Sequence, residues 1–94
     1  MIIIAGTIHV DPGQRARYLG AVSEVAVLAR AAPGCLDFYQ VADPVDAGRI
    51  NVYERWESDE NVENFRNSGG PELETPPIQA ADVHKYRISA VEAP

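Results

Sequence analysis

Two side chains in this sequence, Glu54 and His84, could move a proton beside an aromatic wall. Glu54 stands two residues before Trp56 in the run INVYERW, residues 50–56. Strict alternation there puts Ile50, Val52, Glu54 and Trp56 on one face of a strand. A carboxylate among apolar groups is desolvated, its pKa rises, and it becomes a base usable closer to neutral pH. A Glu so placed can also be a purely structural group, hydrogen-bonded to backbone or to an arginine. His84 alternates with Tyr86, Ile88 and Ala90 along the last extended stretch. An imidazole titrates near neutrality without help, although a lone strand histidine also serves as a structural hydrogen-bonder. Phe38, Trp56, Phe65 and Tyr86 are the aromatic side chains available to cradle a hydrophobic ligand next to those two groups.

Other chemistries find no footing. Cys35 is the only cysteine, so the chain forms no internal disulfide and no thiolate metal cluster. No flanking cation or helix start lowers its pKa, which argues against a catalytic thiol. His9 and His84 lie at opposite ends of the sequence and give no metal-ligand spacing, so no metal site is expected. Gly69-Gly70 lacks a phosphate-cradling pattern. With a formal net charge of −6 and eight scattered Lys and Arg residues, neither nucleic acid nor an anionic membrane surface is an expected partner. No apolar run approaches the ~20 residues of a membrane span. The run at 2–5 is too short for a signal peptide and has no basic leader, so a cytoplasmic location is expected.

The elements that must position these groups follow from periodicity. Ninety-four residues suffice for one small domain, expected over 1–94. Residues 2–10 alternate as a first strand, with Ile2, Ile4, Gly6, Ile8 and Val10 on the inner face. Asp11-Pro12-Gly13 turns the chain into a helix over about 14–31, where Tyr18, Val22, Val25, Ala29 and Ala32 make an apolar stripe and Pro33-Gly34 ends it. Residues 35–42 alternate again, with Leu36, Phe38 and Gln40 opposed to Cys35, Asp37, Tyr39 and Val41. A turn-rich connector leads to a third strand over 49–57. Ser58 then caps a second helix over about 58–68, with Asp59 and Glu60 in its first turn and Val62 and Phe65 on its apolar edge. The loop after it, from Gly69-Gly70-Pro71 through Thr75-Pro76-Pro77, is the longest irregular piece, and such loops often carry function. A fourth strand is read over 82–91.

The order βαββαβ predicts an α+β, ferredoxin-like fold: a four-stranded antiparallel sheet with both helices on one face. The first strand should lie between the third and fourth. Pairing Ile4 with Ile88 would set Gly6 beside Tyr86 and Ile8 beside His84, with a hollow at Gly6 on the helix side. The other face carries Thr7, His9, Tyr39, Val41, Tyr53 and Arg55, a surface too aromatic for plain solvent exposure. A second copy of the chain is its expected partner.

Three motifs in this order, Val10-Asp11-Pro12-Gly13, Ala32-Pro33-Gly34-Cys35-Leu36 and Tyr53-Glu54-Arg55-Trp56-Glu57-Ser58, resemble those of the antibiotic biosynthesis monooxygenase family, over essentially the whole chain. The resemblance implies a homodimer formed sheet to sheet as a dimeric α+β barrel, with a small cavity between helices and sheet in each protomer. It implies a cofactor-independent monooxygenase that oxidises a phenolic or quinol polycyclic substrate with dioxygen. His84, Glu54 and Trp56 would be the catalytic candidates, and Phe38, Trp56, Phe65 and Tyr86 the substrate-binding ones. Haem-degrading relatives look to an Asn on the first strand, a Trp ending the third and a His on the second helix. Only Trp56 matches that set: Gly6 or Thr7 holds the first position, and no histidine occurs between Glu57 and Val83, where Phe65 stands. The alternative within the same fold is a non-catalytic dimer holding a small hydrophobic ligand.

Overall fold

The alternating isoleucines of residues 2–10 become the inner face of a central strand in a computed structural model describing residues 1–94. In chain order the elements are β1 (Ile2–Val10), a 3-10 turn (Pro12–Gln14), α1 (Arg15–Ala31), β2 (Cys35–Ala42), β3 (Arg49–Trp56), α2 (Asp59–Asn67) and β4 (Ile78–Arg87). The strands are antiparallel in the order β2-β3-β1-β4, which is the ferredoxin-like α+β arrangement expected from the βαββαβ order. Both helices lie on one face, and the other face of the sheet is open.

Local chemistry accounts for the element ends. The Asp11 carboxylate accepts the Gly13 N–H at 2.9 Å, and Pro12 sits where a helical turn needs no N–H donor. Pro33 and Gly34, at φ +80, close α1. At α2 the Ser58 hydroxyl accepts the Asn61 N–H at 3.2 Å, and Asp59 and Glu60 face the positive end of the helix dipole. The β2–β3 connection is folded around Asp43, whose carboxylate accepts the Val45 and Asp46 N–H groups and the Asn51 amide. Those donors favour the ionised form and hold its pKa down to about 2.

The core lies between sheet and helices in two groups. One contains Ile2, Ile4, Ala29, Phe38, Trp56 and Val62; the other contains Ile8, Val10, Tyr18, Val22, Ile50 and Val52. Gly6 falls between them on β1 and contributes no side chain, so Val83 of β4, packed against both groups, bridges the gap. A Cβ at Gly6 would run into the Asp82 carbonyl oxygen, which leaves no room even for alanine. Gly6→Ala is therefore expected to pry β4 from β1 and lower stability by about 3 kcal/mol. A urea titration with an unchanged midpoint would show that the two strands can part at little cost.

Two details differ from the alternation read in the sequence. β4 begins at Ile78 rather than 82, and Ile4 pairs with Lys85, Gly6 with Val83 and Ile8 with Ala81. The offset from the expected pairing is three residues, an odd number, and an odd slip exchanges the faces of a strand. Ala81, Val83, Lys85 and Arg87 therefore face the helix side, while His84 and Tyr86 lie across from Ala5 and Ile3 on the open face. Lys85 and Arg87 reach the Asp59 carboxylate at 2.7 and 2.6 Å, and those two hydrogen bonds hold its pKa down. The second difference is a register shift between Cys35 and Asp37. It puts Cys35 and Phe38 both on the helix side and leaves Leu36 exposed.

Candidate functional site

β3 delivers the centre of the site by simple alternation. Glu54 and Trp56 lie opposite Ile4 and Ile2 of β1 and so project toward the helices. Trp56 has no exposed surface, and its indole Nε1–H donates to Glu54 Oε1 at 3.0 Å. Phe65, three residues after Val62 on α2, leans its ring on Trp56 with centroids 5.5 Å apart and meets Phe38 edge-on at 6.2 Å. Four of the residues singled out from the sequence, Phe38, Glu54, Trp56 and Phe65, thus come together.

Burial is the main cause that raises the Glu54 pKa above its ordinary 4.5; the Trp56 N–H and the Arg66 charge pull the other way. The group is a carboxylate kept closer to its neutral form than an exposed one, poised to take or hold a proton. Cys35 lies nearby. Burial and the Glu54 carboxylate push its thiol up, and the Sγ–H points to the Asp37 carbonyl at 3.5 Å. It stays a thiol and makes a poor nucleophile or metal ligand.

Above Phe65 opens a groove of about 400 Å³, lined on α1 by Val25 and Leu28, at the helix end by Ala32 and Pro33, and across from them by Phe65 and Arg66. The start of the long loop, Gly69 to Pro71, completes it, so the irregular segment flagged in the sequence does border the candidate site. Neither Trp56 nor Glu54 lines this groove. Phe65 is the one ring shared by the groove and the aromatic cluster beneath.

His84 and Tyr86 are not part of this constellation. They neighbour each other on the open face, centroids 6.5 Å apart, and His84 Nδ1 stands 3.2 Å from the Asp82 carboxylate. His9 shares that face and lies 3.5 Å from Asp46. Sequence reasoning missed Arg66. Its only signal was adjacency to Phe65, which says nothing about where a guanidinium on a helix end will point. No group of three or more His, Cys, Asp or Glu side chains is placed to hold a metal ion, and no helix is long and apolar enough to cross a membrane.

The open face carries the remaining predicted surface. Tyr39 and Tyr53 stack at 5.2 Å across β2 and β3, and Ile3, Ala5 and Thr7 continue the patch on β1, half-buried without any covering layer. Arg55 Nε is buried within it and has no hydrogen-bond partner in the chain.

Comparison with known proteins identifies the family and the fold. The sequence profile of a family described as antibiotic biosynthesis monooxygenase matches residues 1–81. No curated protein matches the chain by sequence. Among solved structures, a Deinococcus radiodurans protein provisionally described as an antibiotic biosynthesis monooxygenase is 15% identical, with a TM-score of 0.79 over 99% of this chain and 97% of that one. The haem-degrader MhuD from Mycobacterium tuberculosis, with two haems bound in its active site, is 18% identical, with a TM-score of 0.71 over 99% of this chain and 100% of its own. A Pseudomonas aeruginosa protein is 26% identical, with a TM-score of 0.70 over 94% of this chain and 93% of that one. At such identities the first two likenesses speak for the fold alone.

Proposed function

The chain belongs to the antibiotic biosynthesis monooxygenase family, and from that premise we propose that it is a cytoplasmic oxidoreductase that uses dioxygen to oxidise a phenolic or quinol-type polycyclic aromatic ligand. The observation that carries this reading is a half-buried carboxylate of raised pKa, Glu54, hydrogen-bonded to the Trp56 indole against which the Phe65 ring leans. The ligand lies in the groove against Val25, Leu28 and Phe65, and a swing of the Phe65 ring gives its acidic proton access to Glu54. Loss of that proton to the carboxylate leaves an electron-rich anion, which passes one electron to dioxygen. The resulting radical pair combines to form a carbon–peroxide bond, and Glu54 returns the proton to the peroxide. Elimination of water leaves a carbonyl on the ring, so one oxygen atom enters the product and the other leaves as water. With His84 on the other face, Glu54 is the base this protomer can offer.

Haem fits the site poorly. Both imidazoles of the chain are on the open face, and Cys35 does not line the groove and is kept as a thiol, so neither residue type offers an axial ligand there.

Oxygen uptake by the purified protein, with anthrone and naphthoquinol substrates and no added cofactor, tests the proposal. Uptake above autoxidation and abolished by heating is expected. Substrate-dependent quenching of Trp56 fluorescence without uptake would favour the second reading, a non-catalytic protein that holds a hydrophobic ligand. That reading has its own support: the polar groups do not converge, since the Glu54 oxygen is already taken by Trp56 and His84 is elsewhere.

We also propose that two copies associate through the open sheet faces as an α+β barrel. The stacked tyrosines and the orphaned Arg55 Nε support this, because a buried donor without a partner is costly unless a second chain supplies one. Tyr53→Glu places a charge in the centre of that surface. It should turn a dimer into a monomer by sedimentation velocity; an unaltered sedimentation coefficient would move the interface elsewhere.

A further inference from the structure

In a chain of net charge −6, the groove contains one charged side chain, and it is a cation. Arg66, in the last turn of α2, lines the groove with apolar residues of α1 on the facing wall. No acidic residue lines the groove with it. Of the eight Lys and Arg side chains, Arg15, Arg30, Arg49, Lys85 and Arg87 are occupied by backbone carbonyls, an amide or carboxylates of the chain; Arg17, Arg55 and Arg66 make no hydrogen bond or ion pair, and of these three Arg66 is the one that lines the groove. Glu63, one helical turn before it, is not engaged with it, and Glu54 below the Phe65 ring feels only its charge. A guanidinium in the last turn does favour the helix dipole. That alone requires neither an apolar groove in front of it nor the absence of a carboxylate partner.

The chain beside it adds further donors. Ser68 has right-handed helical angles, φ −72 and ψ −8, and Gly69 follows at φ +72. Such a right-to-left succession turns consecutive backbone N–H groups in one direction, a concavity suited to anions. Neither the Gly69 nor the Gly70 N–H is hydrogen-bonded within the chain, and both residues line the groove.

We propose that the ligand of this groove is an aromatic acid: its flat ring system lies against Val25, Leu28 and Phe65, and its carboxylate is held by Arg66 and the Gly69–Gly70 N–H groups. The inference rests on the aromatic-ligand reading above and narrows it to a class. Guanidinium and carboxylate match as a planar two-point pair, and a neutral aromatic would leave those donors to water. Arg66 thereby also sets the orientation, since the acid end stays at the loop and the opposite end of the ring system points toward Phe65 and Glu54.

A matched pair of probes, naphthalene-2-carboxylate and naphthalene-2-carboxamide, tests this by calorimetric titration with Trp56 fluorescence as a second signal. The wild-type chain should bind the carboxylate about tenfold more tightly than the amide, the advantage of a charge-assisted hydrogen bond at a partly exposed site. That advantage should shrink with added salt, whereas amide binding should not. Arg66→Gln should erase the preference and leave the amide affinity as it was, and Arg66→Lys should restore part of it. Equal binding of the two probes by the wild type, or a preference that survives in Arg66→Gln, overturns the proposal but leaves the aromatic cleft standing. If neither probe binds, the cleft reading fails and the proposal with it.

Discussion

Glu54→Gln is expected to lower oxygen uptake by about 10²–10⁴-fold while leaving the fold intact, the usual yield of a positioned base. Gln keeps the oxygen that accepts the Trp56 Nε1–H, so the local hydrogen bond survives and only the titratable group is lost. The pH dependence should identify the group. As a base Glu54 must be ionised, so the acid limb of kcat/KM should fall above the ordinary carboxyl value of 4.5, in the direction that burial moves it. Stability should run the other way. Burial favours the protonated form in the folded chain, so folding is not penalised at pH below the unfolded carboxyl's range. Stability then declines as pH rises through the elevated native value. Glu54→Gln removes that decline and should be no less stable than the parent at neutral pH. Undiminished uptake by a folded Glu54→Gln protein would eliminate Glu54 as the base. His84→Ala, on the open face, is the matched control and should retain uptake.

Trp56→Ala should lower stability by about 3–5 kcal/mol, at the upper end of large-to-small core replacements. The indole is fully buried among Ile2, Ile4, Phe38, Val62 and Phe65, so its removal leaves a large cavity in this half of the core. The substitution also strips Glu54 of its hydrogen-bond donor, which leaves a desolvated carboxylate unpaired. Trp56→Phe separates the two effects. It refills most of the volume but cannot donate, so its stability loss should be much smaller, while the Glu54 titration moves further upward and the acid limb of activity follows. A guanidinium titration gives the first quantity and a pH profile the second. If Trp56→Ala unfolds with the parent's midpoint, the indole is not the keystone of this half of the core.

The fold was legible because its strongest signals were periodic. Ile2, Ile4, Ile8 and Val10 on one strand and Ile50, Val52 and Trp56 on another left little doubt about which faces are buried, and those faces seat Glu54 and Trp56 correctly. β4 was different for a physical reason. All of its residues but Val83 are exposed, so neither face carries the hydrophobic contrast that fixes a register. Ile88 and Tyr86 looked like an inner face, whereas the inner face consists of Ala81, Val83 and two long cations that reach across to Asp59. The misplaced register carried His84 and Tyr86 to the wrong side with it. The shift near Leu36 was equally invisible, because an extra residue in a strand leaves its composition unchanged. Arg66 was missed because a polar residue on a helix end is ordinary in sequence, and only the groove in front of it makes it notable.

The sheet order also has a consequence for synthesis on the ribosome. β1 occupies the middle of the sheet, yet it is made before every strand that flanks it. Its β3 neighbour follows some forty residues later, and its β4 neighbour is the last element of the fold. Until then a row of isoleucines and an unpaired strand edge wait in the nascent chain, the kind of surface that chaperones bind and that aggregates at high expression. Pairings so distant in sequence slow the search for the native sheet. Changes that weaken β4, even where they leave the cleft untouched, should therefore appear first as poor yield of soluble protein.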